Sequence, residues 1–227
     1  MLALILAGGS GSRLGLGEKP LVTIGGRPMI ERVIGAFEEA GCEPVVVLSP
    51  RTPYTHNWCR ARGITHLTSQ GNGYVEDLVH AVETLEERDP LFTSVSDLPC
   101  LTPQILCEVY TWYRESGKDA CSVWVPREMV LGEGCRSLYQ ESICGTDACP
   151  AGINILRGDR ISEVQEEVKV LIRSRRLVFN INTREELFMV QSLVRDRGEA
   201  ELTGRGEHRT SCGDHSDTRP NPFKSNY

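Results

Sequence analysis

Residues 2–20 read LALILAGGSGSRLGLGEKP and carry the strongest structural signal in the chain. The stretch opens with the apolar run Leu2–Ala7, which is typical of a strand buried on both faces, as in a parallel sheet. Five glycines then lie between positions 8 and 17. Glycine lets a ligand approach the backbone closely, and successive N–H groups pointing into one concavity bind anions. Because the cations Arg13 and Lys19 lie in the same loop, the stretch predicts a cradle for a triphosphate.

This loop matches neither of two common phosphate-binding patterns. It lacks the Walker A sequence G-x-x-x-x-G-K-[ST], and its glycines do not form a clean G-x-G-x-x-G dinucleotide fingerprint. The loop resembles the signature of nucleotidyltransferases that use a nucleoside triphosphate, L-A-G-G-x-G-x-R-[LM] followed by K-P. The matching residues are Leu6, Ala7, Gly8, Gly9, Gly11, Arg13 and Leu14, then Lys19 and Pro20.

Length and composition favour a globular α/β protein. The 227 residues, 40% of them hydrophobic, fit one large domain or at most two small ones. The net charge of -6 argues against a protein that coats nucleic acid. No apolar run approaches the ~20 residues of a transmembrane helix, and residues 2–7 lack the basic flank of a signal peptide. We therefore expect a cytoplasmic protein with no nucleic-acid partner and no integral membrane segment.

The cysteine pattern favours a role in core packing over a zinc ribbon. There are nine, an odd number, and no C-x-x-C pair occurs among them. In a reducing cytosol most would be small buried hydrophobes. Cys135, Cys144 and Cys149 crowd one irregular segment, where a metal site or a disulfide stays open.

Predicted strands alternate with predicted helices along the chain. After Leu2–Ala7 the patterns predict strands at 21–24, 44–49, 64–68, 92–96, 120–125, 150–156 and 177–182. Helices are predicted from Pro28 to Gly41, at 53–63, through 78–85, from Pro103, and from Thr183 through Leu193. Such alternation predicts a single doubly wound, mostly parallel sheet with helices on both faces.

Three segments fall outside this alternation. Residues 127–149 show no clear periodicity and are predicted to form a long functional loop, while 161–172 are mixed in character. From about Glu199 the chain is polar, so we expect a nucleotidyltransferase domain at 1–198 and a disordered tail at 199–227.

The sheet topology predicts where a ligand binds. In open α/β sheets, ligands lie beyond the carboxyl ends of the strands. The opening loop, Asp97 and Asn182 each follow a predicted strand, so we expect them to converge on one side of the sheet.

Four further segments narrow the resemblance. They are GYVEDL at 73–78, SDL at 96–98, PAGIN at 150–154 and FNINT at 179–183. With the opening loop they resemble the archaeal-type GTP:adenosylcobinamide-phosphate guanylyltransferases of cobalamin biosynthesis, within the MobA-like nucleotidyltransferase superfamily. The resemblance spans about residues 1–195. The opening loop and Asp97 are shared by the wider superfamily. The GYVEDL and PAGIN segments narrow the resemblance to this one family within it. The nearest rival is molybdenum-cofactor guanylyltransferase, and segment 127–149 departs from the wider pattern.

The resemblance implies roles for particular residues. Arg13, Lys19 and Asp97 would be catalytic, with the two cations stabilising the departing pyrophosphate. Asp97 and Asn182 would hold Mg²⁺, although an aspartate or asparagine in a turn can equally be structural. The nucleotide would also contact the glycines and the polar residues of the other segments. These are Gly8, Gly9, Gly11, Gly71, Gly73, Glu76, Asp77, Gly152 and Asn182. Leu6 and Ala7, at the end of the first strand, would contact the nucleotide as well.

Guanine recognition falls to a carboxylate in this interpretation. Guanine presents N1–H and N2–H₂ donors, and Glu76 or Asp77 lies beside the close-approach glycines Gly71 and Gly73. Acidic residues are also favoured in the first turn of any helix by its dipole, so both interpretations stay open.

The implied activity transfers GMP from GTP to adenosylcobinamide phosphate and releases pyrophosphate. The implied substrates are thus GTP and a corrinoid phosphate, with Mg²⁺ as cofactor. Transfer to a molybdenum cofactor or a sugar phosphate is the enzymatic alternative, and a GTP-binding regulatory module without turnover is the alternative of another class. The sequence does not decide between a monomer and a homodimer.

Overall fold

The computed structural model describes residues 1–9, 14–134 and 139–197, with side chains described as far as 193. Elements are numbered in chain order. The strands are β1 (Leu2–Leu6), β2 (Thr23–Ile24), β3 (Arg27–Pro28), β4 (Glu43–Leu48), β5 (His66–Thr68), β6 (Pro90–Val95), β7 (Ala120–Pro126), β8 (Glu141–Ile143), β9 (Thr146–Arg157) and β10 (Glu167–Leu171). The α-helices are α1 (Met29–Glu39), α2 (Pro53–Ala61), α3 (Tyr74–Thr84), α4 (Pro103–Ser116), α5 (Arg127–Gly132) and α6 (Arg184–Arg197).

The main sheet has the strand order β10-β7-β9-β6-β1-β4-β5, and β8 pairs with β9. Strand β1 is parallel to β4 and β6, β4 is parallel to β5, and β7 is parallel to β10. Strand β9 runs antiparallel to β6, β7 and β8. The predicted doubly wound, mostly parallel sheet is confirmed. Since β9 runs the opposite way, its beginning lies at the edge where β6 and β7 end.

Apolar side chains of alternate strand residues pack against helices on both faces of the sheet. On one face α3 places Leu78 and Val82 against Leu4, Val47 and Leu91. On the other face the larger core includes α1 and α4, and it contains an edge-to-face contact between Phe37 and Phe92 with ring centroids 5.6 Å apart. The carboxyl ends of the parallel strands carry the loops that form the site.

The predicted strand at 177–182 is wrong. Residues Arg175–Leu177 form a 3-10 turn, and the chain then passes irregularly through the core, with Ile181 fully buried. The N–H of Ile181 donates to the carbonyl of Asp97 at 3.1 Å. The apolar run therefore reflects burial of an irregular segment, which periodicity cannot tell from a buried strand. The edge strand beside β7 is β10, which lies within the segment whose pattern was mixed.

The long loop predicted at 127–149 is also wrong in part. This segment contains the short helix α5, strand β8 and the first residues of β9. The turn at Cys144 and Gly145 joins β8 to β9. Its pattern was obscure because α5 has only six residues and β8 only three.

Burial explains most of the cysteines. Among the described residues seven cysteines are free thiols, and Cys42, Cys59, Cys100, Cys121 and Cys149 are buried. Burial raises the pKa of the Cys59 thiol to about 11, so it stays protonated and unreactive near neutral pH. Cys144 is exposed, and Cys135 lies outside the described residues.

Two further predictions concern the C-terminal tail and membrane-spanning helices. The predicted tail at 199–227 lies outside the described residues. Across the described part of the chain, no helix combines the length and apolar character needed to cross a membrane.

Candidate active site

Three polar residues from distant parts of the chain meet at the carboxyl edge of the sheet. The ammonium group of Lys19 forms an ion pair with Asp97 and donates to Oδ1 of Asn182 at 2.7 Å. The side chains of Lys19 and Asp97 are each 13% exposed. Lys19 begins the 3-10 turn Lys19–Leu21, whose buried Pro20 anchors it. The structure thus brings together the predicted residues Lys19, Asp97 and Asn182.

Asn180 is a fourth member of this group that sequence reasoning missed. Its side-chain amide faces the Asp97 carboxylate, with one amide atom 3.0 Å from Oδ2 and 3.2 Å from Oδ1. With the amide nitrogen in that position, Asn180 donates to both oxygens. The N-I-N spacing of Asn180 and Asn182 could have suggested the pair, since Ile181 between them is buried and both asparagines are less so.

Glycines let three loops approach each other closely beside this group. A Cβ atom at Gly8 would lie 3.0 Å from Cβ of Ser49, and one at Gly71 would lie 3.2 Å from the same atom. The Ser49 hydroxyl donates to the carbonyl of Gly8 at 2.7 Å. Gly71 also has a φ of +75°, which disfavours any other residue. The loops after β1, β4 and β5 therefore close into one wall.

These loops enclose a cavity of about 300 Å³. It is lined by Leu6, Gly8, Gly9, Lys19, Pro20, Arg51, Gly71, Gly73, Tyr74, Asp77, Val95, Ser96 and Asp97. Most of the predicted nucleotide-binding residues are thus on one surface. Sequence reasoning missed Arg51, whose guanidinium makes no hydrogen bond or ion pair with the described residues and so offers a cation to the cavity.

Other predicted residues lie elsewhere. Ala7 is buried, and its N–H donates to the carbonyl of Val47 at 2.8 Å. Glu76 is exposed and folds back over Gly73, where an added Cβ would lie 2.4 Å from Glu76 Oε2.

Gly152 packs against Val95 at the border of the cavity. Gly11 and Arg13 lie outside the described residues.

Asp77 has a structural contact in addition to its place in the cavity wall. Its Oδ1 accepts hydrogen bonds from the N–H groups of Gly71 at 3.0 Å and Asn72 at 3.3 Å. The carboxylate therefore holds the glycine turn that leads into α3. One of its oxygens is engaged in this way, and guanine recognition by Asp77 or Glu76 stays a prediction.

Tyr74 forms the cavity wall at the start of α3 and reaches towards the sheet. Its hydroxyl lies 3.4 Å from Oγ1 of Thr93 and 3.5 Å from Nδ2 of Asn154. Although Tyr74 as a residue is 41% exposed, burial of its hydroxyl end raises its pKa, partly offset by these hydrogen bonds. The hydroxyl is therefore a protonated donor at neutral pH.

Glu18 attaches the opening loop to α2. Its carboxylate accepts hydrogen bonds from the N–H of Tyr54 at 2.7 Å and from the N–H and hydroxyl of Thr55, both at 2.6 Å. The residue preceding α2, Thr52, makes no side-chain capping bond to the helix. Glu18 thus supplies the N-terminal cap from 37 residues away in sequence and sets the position of the adjacent Lys19.

A second attachment joins the opening loop to α6. Arg184 Nε donates to the carbonyl of Leu14 at 2.7 Å. The beginning of α6 is fixed in turn by a capping box, in which Glu186 N–H donates to Thr183 Oγ1 and Thr183 N–H donates to Glu186 Oε2 at 2.9 Å. Glu186 Oε2 also accepts from the N–H of Asn182 at 2.6 Å. These contacts fix Asn182, a partner of Lys19, relative to the opening loop that carries Lys19.

The cap by Glu18 can be tested with Glu18→Gln. The variant keeps the shape but directs an amide N–H₂ at backbone donors, so we expect a loss of about 1 kcal/mol in the free energy of unfolding. We also expect kcat to fall several-fold because Lys19 loses its fixed position. Chemical unfolding and steady-state kinetics measure the two effects.

A double variant separates positioning from stability. If Glu18 acts through Lys19, then Glu18→Gln/Lys19→Ala should have the same kcat as Lys19→Ala alone. Glu166→Gln, which breaks an exposed ion pair with Lys118, is the matched control and should leave kcat unchanged. Multiplicative losses in the double variant would show that Glu18 does not act through Lys19.

The fold and this cavity together define a class of protein. A family model described as the MobA-like NTP transferase domain matches residues 3–200, and the chain belongs to this family. The protein is therefore a nucleotidyltransferase.

One curated relative matches along its whole length. The adenosylcobinamide-phosphate guanylyltransferase of Methanocaldococcus jannaschii is 29% identical over 209 residues, covering 87% of this chain and 100% of the relative. Two solved structures share the fold. Molybdopterin-guanine dinucleotide biosynthesis protein A from Archaeoglobus fulgidus has a TM-score of 0.60 at 17% identity, covering 86% of this chain and 99% of that one. CMP:2-keto-3-deoxy-manno-octonic acid synthetase, solved with CTP, has a TM-score of 0.63 at 16% identity, covering 86% and 98%.

Proposed function

We propose that this protein transfers GMP from GTP to adenosylcobinamide phosphate, giving adenosylcobinamide-GDP and pyrophosphate. The observation that carries the proposal is the match to the M. jannaschii guanylyltransferase over that protein's full length. The GYVEDL and PAGIN segments support the same acceptor. The grouping of Lys19, Asp97, Asn180 and Asn182 beside a glycine-walled cavity supports nucleotidyl transfer as the chemistry.

The reaction asks for positioning and charge neutralisation. An oxygen of the acceptor phosphate attacks the α-phosphorus of GTP, and the bond from that phosphorus to the oxygen bridging to the β-phosphate breaks. The electron pair leaves on pyrophosphate, where negative charge develops. Lys19, with Arg13 from the preceding loop, would stabilise that charge, and the N–H groups of Gly8 and Gly9 would hold phosphate oxygens.

The donor set beside Lys19 fits Mg²⁺. Asp97 and Asn182 direct hard oxygen atoms at one point, and in this structure they hold a cation there, the Lys19 ammonium. Mg²⁺ is commonly held by one or two carboxylates together with substrate phosphates. That mode agrees with the described residues, which contain no cluster of three or more His, Cys, Asp or Glu able to hold a metal. Bound by Asp97 and Asn182, Mg²⁺ would neutralise phosphate charge, and Lys19 would turn towards the leaving group.

Arg51 completes the proposed cation set. It follows β4 and lines the cavity together with Lys19, Gly8 and Gly71. We expect Arg51→Gln to raise KM for GTP about 3- to 10-fold, since a charge-assisted hydrogen bond to phosphate is lost. Arg62→Gln, at an exposed arginine paired with Glu31, is the control and should leave KM for GTP unchanged. Equal KM values in all three proteins would place Arg51 outside the nucleotide site.

The proposal is tested by pyrophosphate release from purified protein. Four nucleoside triphosphates are each combined with cobinamide phosphate, molybdopterin and a sugar phosphate. We expect release only when GTP and the corrinoid phosphate are both present. Release with molybdopterin in preference would favour the second candidate, and GTP binding without release under any acceptor would favour a regulatory module.

A further inference from the structure

One face of the sheet beside the nucleotide cavity is floored by small polar side chains. Register pairs Thr93 of β6 with Asn154 of β9, Asn154 with Ser122 of β7, and Ser122 with Lys169 of β10. Paired residues of neighbouring strands point to the same face. Asn154 Nδ2 donates to Thr93 Oγ1 at 3.3 Å, and Trp124 Nε1 donates to Ser122 Oγ at 2.8 Å. We call this row, with Tyr74 at one end and Trp124 and Tyr139 at the other, the platform.

The described helices pack away from the platform. Helix α3 contacts β1 and β4, α4 contacts β7 and β10, and α5 contacts β7 and β9, whose Ile153 and Ile155 belong to the larger core. The contacts with α4 and α5 lie on the opposite face, because Cys121, Val123 and Val125 of β7 belong to the same core as Val109 and Val130. Ser122 and Asn154 are accordingly only half-buried. The platform is therefore a strip of sheet that faces outward between α3 and the β8–β9 hairpin.

The platform is continuous with the nucleotide cavity. Tyr74 and Val95 line the cavity, and Val95 lies two residues beyond Thr93 on the same face of β6. Gly152, two residues before Asn154 on β9, keeps the floor low at this border. A Cβ atom at Gly152 would lie 2.8 Å from Val95 Cγ2, and its φ is +80°. A molecule on the platform can thus extend a group into the cavity without crossing a ridge of side chains.

The far end of the platform is an aromatic wall. Trp124 is buried against Ile143 and Ala148, and its ring lies 5.9 Å from that of Tyr139, which is 59% exposed. The Lys169 ammonium lies 5.5 Å above the Trp124 ring and is neutralised by Glu141. From β6 to β7 the floor spans two strand spacings, or about 10 Å. The strip is broad and flat, is flanked by aromatic rings and carries no uncompensated charge in its described residues.

We propose that this platform binds the macrocycle of the acceptor, a broad, flat ring that carries peripheral amides. The half-buried hydroxyl of Ser122 and amide of Asn154 match such amides, and the exposed ring of Tyr139 provides an apolar edge. Thr93 is fully buried and supports Asn154 from below. The macrocycle's phosphate-bearing arm would pass over Gly152 to the α-phosphate of GTP. The inference rests on the proposed function. It explains why the two segments that narrow the resemblance meet here, since Tyr74 belongs to GYVEDL and Asn154 to PAGIN.

The test uses Asn154→Ala and Tyr139→Ala in the full-length chain. We expect each to raise KM for cobinamide phosphate about 3- to 10-fold, the effect of one lost hydrogen bond or apolar contact, with the Kd for GTP unchanged. Because the two residues lie at different places on the platform, the losses should multiply in the double variant. Trp112→Ala is the matched control, since Trp112 is a 50% exposed aromatic on α4. It should leave both constants unchanged.

Direct binding separates this inference from the proposed function. Corrinoids absorb near-ultraviolet light, so cobinamide phosphate should quench the fluorescence of Trp124 in the wild type, and Trp124→Phe should lose most of that quenching. Binding with no pyrophosphate release would keep the platform and overturn the function. Turnover with unaltered KM in both variants would overturn the platform and keep the function. Altered sedimentation of Tyr139→Ala, with unaltered KM, would instead make the platform a contact between copies of this chain, and absence of binding and turnover would overturn both.

Discussion

Lys19→Ala is expected to lower kcat about 10²- to 10³-fold, with a smaller weakening of GTP binding. The ammonium group lies among Asp97 and Asn182 at the end of the glycine loop, where it can reach the departing pyrophosphate. A contact made chiefly in the transition state affects turnover more than ground-state affinity, and loss of one such donor typically has this magnitude. Rapid-quench measurement of the chemical step and calorimetric titration with GTP give the two quantities separately.

A matched lysine serves as the control for this variant. Lys118 also forms an ion pair, with Glu166, at an exposed position distant from the site. Lys118→Ala should leave kcat unchanged, because exposed pairs contribute little to the free energy of unfolding. If Lys19→Ala were destabilised while turnover per folded molecule stayed normal, Lys19 would be a structural residue.

Asp97→Asn is expected to raise the Mg²⁺ concentration needed for half-maximal rate by at least ~10-fold, with a lower maximal rate. The substitution keeps the shape of the side chain and its position beside Asn180. It removes the hard anionic ligand that Mg²⁺ prefers. It also leaves the Lys19 ammonium without its carboxylate partner. A Mg²⁺ titration of the initial rate measures the shift, and thermal unfolding checks that the protein stays folded.

Two comparisons sharpen the Mg²⁺ titration. Asp159→Asn, which breaks an exposed pair with Arg157, should have the Mg²⁺ dependence of the wild type. Lys19→Ala removes the cation that occupies the same oxygens, so its Mg²⁺ requirement should not rise. An unchanged Mg²⁺ dependence in Asp97→Asn would remove this residue from the metal site and leave Lys19, Arg13 and the glycine loop to hold the triphosphate.

Local patterns predicted the parts of the site that a short stretch defines. The opening loop, its lysine and the aspartate after β6 could be read from the chain because each combines a buried strand with an adjacent polar residue. Asn182 contacts Lys19 beside Asp97, although the segment before it is irregular and not the predicted strand. Its position depends on Glu186 and on the backbone contact between Ile181 and Asp97.

Contacts between distant residues could not be predicted in the same way. Glu18 caps a helix 37 residues further on, and Arg184 binds a carbonyl 170 residues earlier. Neither partner has a distinctive sequence signature, because backbone N–H and C=O groups are available everywhere. The platform was hidden for a similar reason, since it depends on the register of an antiparallel strand between two parallel ones.

In the proposed reaction, GMP passes from GTP to a corrinoid phosphate at this site. The most direct measurement starts from the purified protein incubated with Mg²⁺, cobinamide phosphate and GTP labelled at the α-phosphorus. The products are then separated and their masses determined by mass spectrometry. We expect the label to appear in a corrinoid heavier by one GMP unit, with one pyrophosphate released for each. Label that stays in GTP, or that moves only to molybdopterin or a sugar phosphate when these are supplied, would contradict the proposed reaction.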